Sequence, residues 1–140
     1  MLADEGVSMK LRVGIDLASV GAVRDSIDRH ADRYLERIYT EAELRDCGAP
    51  GEIDAERLAS RFAVKEAAMK VLRPSADDAV PWSTIEVHRD PIGTIDLELS
   101  GRAAELARDA GISGFEASLT HEADFAAAVV IAELDPVERS

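Results

Sequence analysis

A single cysteine, Cys47, in a chain of 140 residues excludes an intrachain disulfide and fits a reducing compartment. No histidine stands close to it in sequence, so a small buried thiol is expected rather than a nucleophile. Basic residues are scarce as well. Sixteen of them against 28 acidic ones leave a net charge of −12, which argues against nucleic acid or an anionic membrane as the main partner. No apolar run reaches the roughly 20 residues that a membrane helix needs, and the opening MLADEGVS has neither the basic end nor the apolar stretch of a signal peptide. A cytoplasmic protein is expected. Also missing are a GxxxxGKS/T phosphate loop, GxGxxG, GxSxG, HExxH and any cysteine/histidine cluster for zinc. No repeat, low-complexity linker or boundary interrupts the chain, so one domain is expected over 9–135, with tails at 1–8 and 136–140. A domain of this size builds one core yet is short for an enzyme that must surround a large substrate alone, so sites shared between subunits are expected.

What is present centres on residues 57–73, RLASRFAVKEAAMKVLR. At about 100° per residue, Leu58, Phe62, Met69 and Leu72 form an apolar stripe with Glu66 on its edge. Lys70 follows Glu66 by one turn, and Arg61 and Lys65 border the other side. A carboxylate so close to a core is costly to dehydrate unless a cation meets it. Either Lys70 or a metal answers that need.

Around this helix the periodicities alternate. Leu11, Val13, Ile15 and Leu17 have the spacing of a strand with one face in the core, which turns Asp16 to the other face. A helix is read over 19–38, in one piece or two, with Val20, Val23, Ile27, Tyr34, Leu35 and Ile38 apolar. Thr40 to Glu43 is a capping box, residues 48–51 break the chain, and Pro74 stops the central helix. Residues 75–82 form a loop anchored by Trp82. A hairpin is read from Ile85 to Leu99 around Asp90-Pro91-Ile92-Gly93, and Ser100 is placed to cap a helix ending at Gly111. Two strands follow, 115–121 and 125–134. The second is apolar on both faces, as a central strand or one covered by another subunit is.

Two separated acids, Asp16 and Glu66, suit one hard cation with water and phosphate filling its shell, the usual way Mg²⁺ is held. Arg61, Lys65 and Lys70 on the same helix suit further phosphate charge. The bland alternatives are a helix-capping Asp16, a Glu66–Lys70 ion pair and a core-edge His121.

Five segments, V-G-I-D-L at 13–17, R-L-A-S-R-F-A-V-K-E-A-A-M-K at 57–70, I-E-V at 85–87, S-L-T-H at 118–121 and A-A-A-V-V-I at 126–131, resemble holo-acyl-carrier-protein synthase. That family is the short type of 4′-phosphopantetheinyl transferase. The resemblance covers about residues 11–134, and R-F-A-x-K-E-A-x-x-K is its specific element. It implies an α+β fold, an antiparallel sheet packed on the long central helix, assembled as a homotrimer with active sites between subunits. It implies that Asp16 and Glu66 bind Mg²⁺ with the pyrophosphate of coenzyme A. Lys70 faces the transferred phosphate, and Arg61, Lys65 and His121 lie near the 3′-phosphate end. The activity implied is transfer of the phosphopantetheine arm to a serine of an apo acyl carrier protein, releasing adenosine 3′,5′-bisphosphate. A metal-bound water or Glu66 takes the serine proton. The competing reading is a catalytically silent trimeric relative that binds the carrier or a nucleotide. Where relatives place an acid and an Arg after the motif Asp, this chain has Ser19 and Ala22. Arg24, Arg29 and Arg33 are the candidates for the missing carrier contact. Residues 73–78 replace a glycine-rich turn.

Overall fold

In the computed structural model, residues 9–49 and 52–136 are described; the expected tail 1–8, the last four residues and the Pro50-Gly51 break fall outside them. The chain runs β1 (Lys10–Ser19), α1 (Val20–Ile38), α2 (Glu41–Asp46), β2 (Gly48–Ala49), β3 (Glu52–Ile53) and α3 (Ala55–Leu72). After a 3₁₀ turn (Trp82–Thr84) come β4 (Ile85–Arg89), β5 (Ile95–Leu99), α4 (Gly101–Asp109), β6 (Ile112–Glu122) and β7 (Phe125–Leu134). The α+β class is as the sequence implies. An antiparallel sheet of order β1-β7-β6 lies on α3, while β4-β5 and β2-β3 form separate two-stranded ribbons.

The central helix is more deeply enclosed than its apolar stripe suggests. Ala59, Ala63, Val64, Ala67, Ala68 and Val71 are inaccessible to solvent, whereas Phe62 and Met69 of the expected stripe are only half-buried. Alanines carry little weight in a hydrophobic pattern, yet here they let the sheet come close. Gly14 on β1 touches α3 so tightly that a Cβ there would collide with the Ala67 carbonyl oxygen. Aspartate 54 starts the helix, its Oδ1 accepting from the Glu56 and Arg57 amides at 3.0 and 3.2 Å. Arg73, in the left-handed region at φ 53°, ends it.

That contact reverses the expected facing of β1. Its inner face is Arg12, Gly14, Asp16 and Ala18, and its apolar residues Leu11, Val13, Ile15 and Leu17 are 59–68% exposed. Alternation marks two faces but does not say which is inside. At Gly14 no side chain fits against α3, so the aliphatic residues of the other parity turn outward. β7, central in the sheet, buries Ala126, Ala128, Val130 and Ala132 and leaves Phe125 and Ile131 outward beside them.

Other expectations hold in detail. Helix α1 is kinked at Ala31, φ 40° and ψ −119°, making two pieces. Ring packing of Trp82 against Phe62 at 5.3 Å anchors the loop before it. Cys47 is a buried thiol, pushed up to about 11 by its burial. One expectation holds only by position: Ser100 occupies the N-cap of α4, but its side chain makes no capping hydrogen bond.

Lys65 is corrected outright. Its side chain is fully buried and ion-paired with Glu43 at 2.7 Å, and it donates to the Trp82 and Ile85 carbonyls at 3.0 and 2.6 Å. All three ammonium donors are engaged inside the protein, so none reaches a nucleotide. Glu43 is satisfied in turn by the Thr40 amide at 2.9 Å and the Val87 amide at 3.0 Å. Removing one member of such a pair strands the other charge in the core, at about 3–5 kcal/mol. Lys65→Met should therefore lower the free energy of urea unfolding by about that amount. A loss below about 1 kcal/mol, the range of exposed pairs, would contradict the structural role.

Candidate active site

The inward turn of β1 that Gly14 permits carries Asp16 onto the α3 face, where Glu66 meets it. Asp16 Oδ1 lies 3.4 Å from Lys70 Nζ, and its Oδ2 is buried with no partner. Lys70 donates to the Ile15 carbonyl at 2.7 Å, so it serves β1 rather than Glu66, and the bland Glu66–Lys70 pair is not what forms. Burial, then a hydrogen bond and the charge of Asp16, push the Glu66 carboxyl up to about 7, against a smaller pull from Lys70. Two ionised carboxylates have no donor between them. Either a shared proton or a cation has to stand there. The cleft they face has a volume of about 390 Å³ and is walled by Ser19, Ala22, Tyr34 and Phe62. Ser19 caps α1, its Oγ accepting from the Ala22 amide at 3.1 Å.

Arg61 and His121 sit elsewhere. They line a second cleft of about 300 Å³ with Arg57, Arg89 and Glu56, and it shares no lining residue with the first. Arg61 is 93% buried at its side chain, 4.0 Å from the Asp46 carboxylate, and its Nε has no partner. His121 Nδ1 is 3.2 Å from Glu56 Oε1. Thus the chain assembles Asp16, Glu66 and Lys70 in one place, Arg61 and His121 in another, and Lys65 in neither. Sequence reading missed Arg57 and Arg89. Arg57 lies one turn before Arg61, the helical spacing that puts both on one face. Arg89 comes from the end of β4, and nothing local in sequence marks it. Three guanidiniums around a partly open cleft are suited to hold an anionic phosphate ester.

Residues 12–130 match the family model described as the 4′-phosphopantetheinyl transferase superfamily, which sets the class of this chain. Within that class it belongs to the holo-acyl-carrier-protein synthase family, the short type. The holo-[acyl-carrier-protein] synthase of Koribacter versatilis is 41% identical over 125 residues, 89% of this chain and 99% of the relative. That of Maridesulfovibrio salexigens is 35% identical over the same shares. Among solved structures, Mycobacterium tuberculosis acyl carrier protein synthase matches with TM-score 0.68 and 34% identity over 88% of this chain and 96% of that one. Helicobacter pylori holo-[acyl-carrier-protein] synthase, in complex with coenzyme A, matches with TM-score 0.73 and 27% identity over 86% and 99%.

A carboxyl held above its usual range in the folded state favours the protonated fold, so its stabilisation is present at acid pH and lost as pH rises through about 7. In metal-free protein, thermal stability should accordingly fall between about pH 4.5 and about pH 7. The slope should flatten in Asp16→Asn, which relieves the carboxylate pairing. Parallel melting curves for parent and variant across that range would refute the coupling.

Proposed function

We infer that this chain transfers the 4′-phosphopantetheine arm of coenzyme A to a serine hydroxyl of an apo acyl carrier protein and releases adenosine 3′,5′-bisphosphate. The single observation that carries this reading is the Asp16–Glu66 pair with Lys70 beside it, in a chain of this family. In the transfer the serine oxygen bonds to the phosphorus that bears pantetheine, and the bond from that phosphorus to the bridging oxygen breaks. Asp16 and Glu66 would hold Mg²⁺, because their donor set is two hard oxygens and one, Asp16 Oδ2, is buried without a partner. When bound, Mg²⁺ supplies positive charge to the pyrophosphate as negative charge builds on the leaving oxygen. Lys70 is half-exposed and keeps one N–H free beyond Ile15 and Asp16, so it offers a donor to the same oxygens. Glu66, once ionised, or a water held in this cleft would take the serine proton. The clefted arginines and His121 would receive the 3′-phosphate end.

The catalytically silent alternative loses ground because no residue of this constellation is replaced. The carrier would approach along α1, where Arg24 and Arg33 are exposed and form no ion pair among the described residues, while Arg29 is paired with Asp25 at 3.3 Å. Localised cations of this kind offset the repulsion between two acidic proteins. The assembly would be a homotrimer. Two observations support it: the separation of the two clefts within one chain, and an open sheet face carrying Leu11, Val13, Ile15, Leu17, Phe125 and Ile131. A run of large apolar side chains exposed together on one sheet face is the kind of surface that marks an interaction site. Among the described residues, no helix is long and apolar enough to cross a membrane.

Incubation with Mg²⁺, coenzyme A and an apo carrier protein should add the mass of phosphopantetheine to the carrier. Asp16→Ala and Glu66→Ala should lower that rate by more than about 100-fold with the fold retained by circular dichroism. Activity within a few-fold of the parent in both variants would remove the metal assignment. For the assembly, Ile15→Glu should convert trimer to monomer in sedimentation equilibrium and take transfer activity with it. A monomeric parent at micromolar concentration, or a fully active monomeric variant, would refute the shared site.

A further inference from the structure

The outer face of the β4-β5 hairpin carries a cluster that the reaction does not use. Glu86 and His88 project from the same side of β4, two residues apart, and Glu86 stands directly opposite Glu98 on β5. His88 Nε2 lies 2.6 Å from Glu86 Oε1 and 3.2 Å from Glu98 Oε2, and the three atoms lie within 4.8 Å of one another. Like charges directly opposite across a strand pair are destabilising. Here nothing cationic of fixed charge relieves them, since no Lys or Arg pairs with Glu86 or Glu98 among the described residues. The nearby Lys65 has all its donors on Glu43 and two carbonyls. A single N–H at Nε2 aligns with one of two converging carboxylates and leaves the other oxygen facing a nitrogen without a bond. The two carboxylates converge on one nitrogen, the place for a positive centre, which a bound cation would supply.

We propose that Glu86, His88 and Glu98 form a binding site for a divalent transition cation of the zinc class, separate from the Asp16–Glu66 pair. One imidazole nitrogen with two carboxylate oxygens is a zinc donor set, whereas Mg²⁺ takes oxygens alone. At zinc–ligand distances near 2.0–2.1 Å, ligand atoms around a tetrahedral ion stand about 3.3 Å apart. His88 and Glu98 already have nearly that separation, and Glu86 reaches it by a small outward turn of its side chain. All three are on paired strands, with His88 and Glu86 about one-third and one-quarter exposed and Glu98 about three-quarters, so the fourth position is open to water. The ion would clamp β4 to β5 across the register that also presents the Val87 amide to Glu43 and the Ile85 carbonyl to Lys65. Its role is therefore to stiffen the hairpin.

The full chain, with excess Mg²⁺ present, is titrated with Zn²⁺ by calorimetry, and its melting temperature is followed in parallel. One equivalent should bind and raise the melting temperature. His88→Gln and Glu98→Gln should each weaken binding by more than about ten-fold, the least that loss of even a supporting partner costs. Their metal-free melting temperatures should stay near that of the parent. ¹⁵N spectra of the imidazoles should show Zn²⁺ shifting His88 Nε2 while His30 and His121 stay in place. Absence of binding heat in the parent, or parental affinity in His88→Gln, overturns the site.

Discussion

The buried pair of Lys65 and Glu43 is the interaction on which the remaining architecture hangs. It joins four elements at one point: α2 through Glu43, α3 through Lys65, the 3₁₀ turn through the Trp82 carbonyl, and β4 through the Ile85 carbonyl and the Val87 amide. The Tyr39 ring lies 5.8 Å from the ammonium, and its hydroxyl donates to the Leu58 carbonyl at 3.1 Å. The charged centre thus bridges two apolar clusters, one beneath the sheet and one beneath α1. Burial depresses the ammonium and Glu43 opposes that effect. Being saturated with partners, the pair fixes the rotation of α3 about its axis. Glu66 and Lys70, one and five residues further along the same rigid rod, inherit that rotation.

The second constraint is steric. Because α3 presents alanines and β1 presents Gly14, sheet and helix approach closely, and this places Asp16 beside Glu66. The same approach forces the larger β1 residues outward. The carboxylate pair and the exposed apolar face are therefore two results of one packing decision. A sequence change that relaxed the first would disturb the second.

Much of this was legible in the sequence, and the gaps have physical causes. The capping box at Thr40 and Glu43 is a local motif, and it was read correctly. What a local motif does not show is that the same carboxylate serves Lys65 and Val87, 22 and 44 positions away. Alternation in β1 identified a strand and placed Asp16 opposite the aliphatics, yet assigned the core to the wrong face. The overlooked sign was Gly14, a residue that weakens a strand unless another backbone comes near. The family segments brought Asp16, Glu66 and Lys70 forward, and the structure puts these together. Lys65 lies in the same segment but points into the core, because a one-residue step along a helix turns a side chain by about 100°. Arg89 and the Glu86, His88 and Glu98 group depend on pairing between strands, which has no signature in either strand alone.

The central strand of the sheet is also its last in sequence. Ten successive residues of β1, from Lys10 to Ser19, pair with β7 in register from Leu134 back to Phe125. Every one of those rungs spans more than 100 residues of chain, so the closure is among the most non-local that a domain of this length allows. β1 remains without its hydrogen-bonding neighbour until β7 has been brought back across the intervening elements. Its aliphatic residues stay exposed even after that pairing, so what β7 supplies is the backbone ladder and not their cover. Folding must therefore close a loop of more than 100 residues before any of these rungs can form, which slows it relative to a domain held by local contacts.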